Sequence, residues 1–169
     1  MMMNASIFDP ESSVGQRRVV IRRNAGDLEM VELPWGFEPA ERGGQLFTVI
    51  RAEGRSFPTH RCLVPASEFR LRSRGKPYGF SFADGDWFYF AGLCRPSTTG
   101  WPASYAILTI NANADVAPYH DRQMAVLRRE DRMRWLDHDG DEQDLLRPLP
   151  PGTFKARRWD RQPQGELLV

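Results

Sequence analysis

Short apolar runs, spaced along most of the chain and separated by polar segments, are the feature that most constrains how this sequence folds. Eight runs rich in β-branched and aromatic residues lie at 18–21, 28–33, 46–50, 61–64, 78–82, 87–93, 105–110 and 123–127. Each has the length of a strand rather than of a helix. The pattern predicts a β-rich domain.

A hairpin is predicted over residues 78–90. Aromatic residues alternate with small ones over 78–82, the sequence of 83–86 is typical of a turn, and an aromatic run follows over 87–90. Alternation with a period of two indicates a strand that buries one face.

Helical signals are short. Residues 129–136 have acidic side chains early and apolar ones three apart, and residues 142–146 end at a proline-rich segment. Together with the strand runs, they predict an α+β fold, with a strongly bent sheet or partly closed barrel and short peripheral helices.

The chain has the size of one domain, since 169 residues with 41% hydrophobic content can bury a real core. We expect a single domain over 1–169, with 1–16 disordered or a truncated N-terminus.

No apolar run approaches the roughly 20 residues of a membrane span, and the first residues lack the basic and apolar regions of a signal peptide, so we expect a cytoplasmic protein. We also expect a monomer. Cys62 and Cys94 lack metal-binding or disulfide spacing and are predicted to be buried small residues.

The net charge of +1 hides an uneven distribution. Residues 17–76 hold twelve basic and seven acidic side chains, whereas residues 77–156 hold eight basic and eleven acidic ones. Nearly all the cations are arginines, whose planar guanidinium matches phosphate oxygens. Two interpretations remain open: a phosphate-binding face in the first half, or the codon bias of a GC-rich genome.

The connection between the runs at 105–110 and 123–127 carries the best candidates for chemistry. His120, Asp121 and Arg122 lie together where two strands end, and binding groups collect on such connections. His120 is either a functional imidazole or a strand-end histidine bonded to backbone. No two histidines have the short spacing of a zinc site, so neither a metal nor another cofactor is expected.

Three further residues have both a structural and a binding interpretation. Arg51 and Glu53 are two apart and share a face in an extended chain, either as a structural ion pair or as a phosphate ligand and the carboxylate that orients it. Trp35 precedes a glycine in a turn-like context, where it either stacks on a base or packs in the core.

These pieces resemble, in order and spacing, the SOS-response-associated peptidase (SRAP) family, whose members sense abasic sites in single-stranded DNA. The resemblance runs from about residue 18 to the end. Its segments are Pro34-Trp35-Gly36-Phe37, Arg51-Ala52-Glu53, Arg61-Cys62-Leu63-Val64-Pro65-Ala66-Ser67 with Phe69, Lys76-Pro77-Tyr78, Phe90-Ala91-Gly92-Leu93, Leu108-Thr109 with Asn113, His120-Asp121-Arg122 through Val126-Leu127, and Trp135-Leu136.

The resemblance implies a covalent chemistry that this chain departs from. Family members begin with a cysteine whose amine and thiol attack the aldehyde of an abasic sugar and close a thiazolidine. Here Met2 stands at that position, Val49 at a family-motif asparagine and Leu71 at the catalytic glutamate. Of four catalytic positions only His120 is kept, and Glu68, three residues before the glutamate position, is the one substitute. Enzymatic activity is left open.

The DNA-binding side of the resemblance is better preserved. It implies that Arg51 and Arg122 contact the phosphate backbone, that Trp35 lies near the bases, and that Glu53 and Asn113 belong to the same surface. His120 would lie beside the abasic sugar and assist proton transfer.

Three hypotheses follow. The first is a divergent SRAP domain of the DNA-damage response that binds single-stranded DNA, at abasic sites or elsewhere, without a crosslink. The second is an active crosslinking, peptidase-like SRAP protein whose true N-terminus is missing, since the segment before Trp35 is short for the family. The third is a fold reused as an interaction module or a small-molecule hydrolase, with Cys94 as its nucleophile.

Overall fold

A computed structural model describes residues 15–159 of the chain. In chain order, its strands are β1 (Arg17–Asn24), β2 (Asp27–Pro34), β3 (Val49–Arg51), β4 (Arg61–Ala66), β5 (Phe69–Ser73), β6 (Lys76–Phe82), β7 (Phe88–Arg95), β8 (Ser104–Asn111), β9 (Arg122–Met124) and β10 (Phe154–Arg158). A 3-10 turn (Arg129–Asp131) leads into helix α1 (Arg132–Leu136), and helix α2 (Glu142–Leu145) follows. No helix in this part of the chain is long and apolar enough to cross a membrane.

Seven strands form a large sheet in the order β2-β1-β4-β7-β8-β3, with β9 paired to β8. Its pairs are antiparallel except for β3 and β8, which are parallel. The β1–β2 hairpin turns at Ala25 and Gly26, which both have positive φ angles of 52° and 86°. Such a two-residue turn matches the twist of the flanking strands.

Three strands form a small sheet in the order β10-β6-β5. β5 and β6 make a hairpin that turns at Arg74 and Gly75, again with positive φ angles of 52° and 77°. β10 returns from the end of the described chain to pair with the other side of β6.

The two sheets and the helices enclose two cores, one on each face of the large sheet. Between the sheets lie aromatic side chains of the small sheet, including Phe69, Phe80 and Phe154, against apolar residues of β4, β7 and β8. On the other face, Trp135 and Leu145 of the helices pack against that sheet. The β-rich α+β class with short helices is confirmed, and the strands form two sheets that do not close into a barrel.

The hairpin predicted over residues 78–90 is wrong. β6 pairs with β5 and β10, whereas β7 pairs with β4 and β8 in the other sheet. Residues 83–86 do turn the chain, but they carry it from one sheet to the other. Phe82 and Phe88 then meet face to edge in the core, with ring centroids 5.0 Å apart. The aromatic side chains of the two segments therefore pack against each other across the core between the sheets. They are not neighbours on adjacent strands of one sheet.

The other predicted elements are confirmed, with changes at their ends. The run at 46–50 is reduced to β3 and the run at 123–127 to β9, and both short helices are present. β5 and β10 were not predicted. Cys62 and Cys94 are both buried and free, as expected.

Arg61, at the start of β4, ties the helices to the large sheet. Its guanidinium donates to the backbone oxygens of Phe57 (2.9 Å) and Trp135 (3.1 Å) and to the Glu142 carboxylate (2.6 Å). The Arg61 side chain is only 4% exposed. It also lies over the Trp135 ring, 4.2 Å from its centroid. A buried charge with each of its nitrogens directed at an acceptor holds three separate segments together.

We expect Arg61→Met to lower the free energy of unfolding by about 3–5 kcal/mol, because it leaves the Glu142 carboxylate and two backbone oxygens without their partner. Arg23→Met is the matched control, since it breaks an ion pair with Asp137 in which both side chains are partly exposed, and its cost should be much smaller. Urea unfolding followed by tryptophan fluorescence measures both. Equal stabilities for the two variants would contradict the role of Arg61 as the tie between helices and sheet.

Candidate functional site

A cavity of about 500 Å³ opens where the large sheet meets β5 of the small sheet. β8 holds β3 on one side and β9 on the other, so the ends of three strands converge on the cavity. The lining residues come from these strands, from β5 and from the loop before β9: Val49, Arg51, Phe69, Arg70, Leu71, Thr109, His120, Arg122, Gln123 and Met124. The cavity therefore gathers Arg51, His120 and Arg122, which the sequence singled out, with Val49 and Leu71.

Arg122 is held in the cavity wall by three neighbours. One of its terminal nitrogens donates to Glu53 (2.9 Å) and to the Asn111 side chain (3.0 Å). The other donates to the backbone oxygen of Thr109 (2.8 Å) and to its hydroxyl (3.0 Å). With 18% of its side chain exposed, Arg122 is largely committed to protein acceptors. It therefore fixes the geometry of the wall.

Glu53 is the counter-ion that keeps Arg122 in this position. Its two carboxylate oxygens each lie 2.9 Å from a different nitrogen of the Arg122 guanidinium. A two-point contact of this kind fixes orientation as well as distance. The hydrogen bond from Arg122 is the main reason that the pKa of Glu53 is lowered. The carboxylate is consequently ionised at neutral pH.

Arg51 is the cation that the site leaves to solvent. Its side chain is 65% exposed, and its nearest carboxylate contact is Glu53 at 3.7 Å, longer than the Arg122 contact. The ion pair that the sequence suggested between Arg51 and Glu53 exists, but the stronger partner of Glu53 is Arg122. Arg51 can thus reach an anion at the cavity mouth without breaking a strong internal bond.

His120 lies exposed at the rim of the cavity with one ring nitrogen occupied. Its Nδ1 accepts a hydrogen bond from the backbone N–H of Arg122 at 3.0 Å. An accepting Nδ1 places the proton of the neutral ring on Nε2, which is then a donor. The backbone N–H of His120 also bonds to Val116, at 3.0 Å. The backbone-bonded interpretation of this histidine is confirmed by its Nδ1 contact, and the functional interpretation stays a prediction.

Asn113 shapes the loop that carries His120. It is 3% exposed, and its side-chain oxygen accepts from the N–H groups of Asp115 (3.0 Å) and Val116 (3.1 Å). Its side-chain amide donates to the Leu149 oxygen at 3.2 Å. Its own N–H bonds to Gln123 at 2.8 Å. Every polar group of Asn113 is engaged inside the protein, so it supports the binding surface from within.

Trp35 and Glu68 do not line the cavity. The half-buried indole of Trp35 stacks on Tyr105 at 6.5 Å and donates to the Thr48 oxygen at 2.9 Å, next to Val49. Glu68 is 8% exposed and lies against Gly79 with Arg70 and Arg157, on the other face of the small sheet.

The cavity also has an apolar lining, of which the sequence indicated Val49 and Leu71 but not Phe69 and Met124. Phe69 and Leu71 come from β5, whereas Met124 and the exposed Val49 lie two residues from Arg122 and Arg51 on the same strands and share their faces. Thr109 was also missed as a bonding partner of Arg122. The sequence did contain a signal for this contact. Thr109 lies two residues before Asn111 on one strand, so the two side chains share a face and can bind the same group. A site that mixes cations with apolar groups suits a ligand of mixed character.

Arg122→Gln should lower the free energy of unfolding by about 1.5–3 kcal/mol, because it removes hydrogen bonds between charged groups in a largely buried wall. Arg51→Gln is the matched control. It deletes the same charge from the same cavity at an exposed position and should stay within about 0.5 kcal/mol of the wild type. Chemical denaturation of both variants measures the difference. A large loss of stability in Arg51→Gln alone would reverse the roles of the two arginines.

The stability contributed by Glu53 should depend on pH in a defined direction. Because its pKa is lower in the folded than in the unfolded protein, the contribution is complete above the ordinary carboxyl pKa of 4.5 and is lost as the pH falls through the lower folded value. Unfolding of the wild type and of Glu53→Gln should therefore differ at pH 7 and converge in acid. A difference that persists undiminished to about pH 2 would contradict this.

Three solved structures are similar to this chain in fold. A Bordetella bronchiseptica protein is 23% identical, with a TM-score of 0.72 over 95% of this chain and 94% of that chain. A Bacteroides thetaiotaomicron protein is 21% identical, with a TM-score of 0.68 over 93% of this chain and 81% of that chain. A phage-related protein from Bordetella bronchiseptica is 22% identical, with a TM-score of 0.67 over 94% of this chain and 89% of that chain.

Comparison with sequences gives the family directly. No curated protein sequence is significantly similar to the chain. The family model described as SOS response associated peptidase (SRAP) matches residues 11–162, which include all the described strands and helices. The chain therefore belongs to the SOS response associated peptidase family, as its motifs predicted.

Proposed function

We propose that the protein binds single-stranded DNA in the response to DNA damage and holds it without forming a covalent bond. The observation that carries this proposal is the cavity in which exposed Arg51 lies beside Arg122, itself fixed by Glu53, with His120 at the rim. Membership of a family named for the SOS response supports the DNA-damage setting.

Arg51 is the group best suited to a backbone phosphate. A guanidinium presents paired N–H donors that match phosphate oxygens, and this one is 65% exposed. Arg122 fixes the wall beside it, and an Nε2–H of His120 offers a second donor at the same opening. These donors favour a phosphate at the cavity mouth.

The apolar lining of the cavity argues for non-covalent binding. The resemblance aligns Val49 and Leu71 with an asparagine and a glutamate that serve the covalent chemistry of the family, and both side chains line this cavity. Neither can hold a nucleophile by hydrogen bonds or transfer a proton. Glu68 cannot take over from its place on the other face of the small sheet.

Cys94 gives little support to a hydrolase. It is 3% exposed and does not line this cavity. The pKa of its thiol is lowered mainly by a hydrogen bond with the neighbouring Cys62, so its environment is that of a buried pair.

Fluorescence anisotropy with a labelled single-stranded oligonucleotide, intact or with one abasic site, tests the proposal. We expect Arg51→Gln to weaken binding roughly threefold to tenfold, and to reduce the slope of log K against log salt by about 0.7, the value for one phosphate contact. Arg23→Gln is the matched control, because Arg23 lies in β1 near the opposite edge of the large sheet and pairs with Asp137.

Denaturing gel electrophoresis of the abasic complex distinguishes the binding modes. A non-covalent complex leaves free oligonucleotide on the gel, and a stable adduct would establish the crosslinking alternative instead. If Arg51→Gln and Arg23→Gln bound the oligonucleotide as well as the wild type, the cavity would have no part in DNA binding and the proposal would fall.

A further inference from the structure

The small sheet is far more basic than the rest of the protein. Its strands and their adjoining residues, 68–82 and 153–159, contain seven cations and one carboxylate. The cations are Arg70, Arg72, Arg74, Lys76, Lys155, Arg157 and Arg158. The chain as a whole has a net charge of only +1, so this segregation leaves one region with a strongly positive surface.

Four of these cations share the outer face of the sheet, opposite the aromatic core. Arg70 of β5 and Arg157 of β10 both pair with Gly79, which lies between them on β6. Side chains two apart along a strand point the same way, which adds Arg72 and Lys155 to this face. Arg157 is 61% exposed.

Glu68 organises the centre of this face. Its carboxylate lies 3.5 Å from Arg70 on one side and 3.5 Å from Arg157 on the other, and the residue is 8% exposed. A Cβ at position 79 would come within 1.6 Å of a Glu68 oxygen, so only glycine leaves room for the carboxylate here. Both contacts are ion pairs at 3.5 Å and Glu68 Oε2 makes no hydrogen bond with any described residue, so the buried anion draws the two guanidinium groups toward one point by charge attraction.

Trp159 supplies an aromatic surface beside the cations. The Arg70 guanidinium lies over its ring, 3.9 Å from the ring centroid. The Trp159 backbone N–H bonds to the Pro77 oxygen at 3.0 Å, which extends the pairing of β10 with β6 by one position. The indole is half-buried. Arginines and an aromatic ring on one face are the groups that single-stranded nucleic acids engage, by phosphate contact and by base stacking.

We infer that this outer face is a second binding surface for single-stranded nucleic acid, in which Arg157, Arg72 and Lys155 contact phosphates and Trp159 stacks on a base. The inference rests on the proposed function and extends it beyond the cavity. Glu68 acts here as a positioning residue for Arg70 and Arg157. This role is separate from the covalent chemistry of the family.

A second depression connects the two surfaces. It has a volume of about 390 Å³ and is lined by Arg72, Arg74 and residues 117–121. His120 lines both this depression and the cavity that holds Arg51. A nucleic-acid strand that leaves the cavity past His120 therefore meets Arg74 and then Arg72, with which the outer face begins.

The dependence of binding affinity on oligonucleotide length distinguishes the second surface from the cavity, because only a long oligonucleotide can reach both. We would measure anisotropy with thymidine oligonucleotides of roughly six and about twenty residues, which bracket common site sizes for single strands. Arg157→Gln should weaken binding of the long oligonucleotide roughly threefold to tenfold and reduce its salt slope by about 0.7, with the short one unaffected. Arg51→Gln should weaken both, and Arg23→Gln neither.

Trp159→Ala tests stacking. It should weaken binding of the long thymidine oligonucleotide about fivefold, yet leave binding of an oligomer of equal length without bases unaffected. Trp159→Phe should retain most of the affinity. Glu68→Gln tests whether Glu68 positions the arginines. If Glu68 only contributes negative charge, the variant should bind the long oligonucleotide more tightly. If Glu68 positions the arginines, the variant should bind it more weakly, which is the result that we expect.

The outcomes distinguish the two proposals. If Arg157→Gln binds the long oligonucleotide like the wild type while Arg51→Gln does not, the second surface is overturned and the cavity stands. If only Arg157→Gln weakens binding, the cavity proposal falls. Failure of the wild type to bind either length overturns both. Displacement of the long oligonucleotide by polyglutamate as readily as by thymidine oligomer of equal charge would assign the outer face to acidic polypeptides instead.

Discussion

Burial of the large sheet on both faces is the constraint on which the rest of the structure depends. All six residues of β4 are buried, because aromatic side chains of the small sheet cover one face and the helices cover the other. Continuous apolar strands are stable only in such a setting. β8 is similarly enclosed, and its rigidity positions β3 and β9 at the cavity. The side chains that these short strands present to the cavity are thus positioned by the core.

The cavity assigns different tasks to two arginines that look alike in the sequence. Arg122 is bonded to Glu53, Asn111 and Thr109, which removes most of its capacity to bind a ligand but fixes the wall. Arg51 has one weak contact and remains exposed. Because Arg122 is already ordered in the free protein, a ligand that binds here restricts only the Arg51 side chain. The loss of conformational entropy on binding is smaller as a result.

Periodicity predicted most strands, and it failed where charge or topology competed with it. β5 has an alternating pattern, but Arg70 and Arg72 on its outer face made the segment look like a polar loop. β10 was missed for the same reason. The hairpin at 78–90 failed because local alternation carries no information on which sheet a strand joins. At the candidate site, the types of residue present were enough to single out His120 and Arg51. The hydrogen bonds of Arg122 to Thr109 and Asn111 were not predicted, because only folding brings Arg122 to these residues.

The position of Glu68 follows from the two-residue repeat of a strand. A side chain moved by two positions along β5 stays on the same face, whereas one moved by three changes faces. Leu71 lies on the inner face and lines the cavity, so a carboxylate three residues earlier must emerge on the outer face, where it meets Arg70 and Arg157. Return of Glu68 to the cavity would need a bulge that breaks the pairing of Phe69 with Phe80 and removes the ring contact at 5.2 Å. Strand register thus places Leu71 in the cavity and Glu68 on the basic outer face.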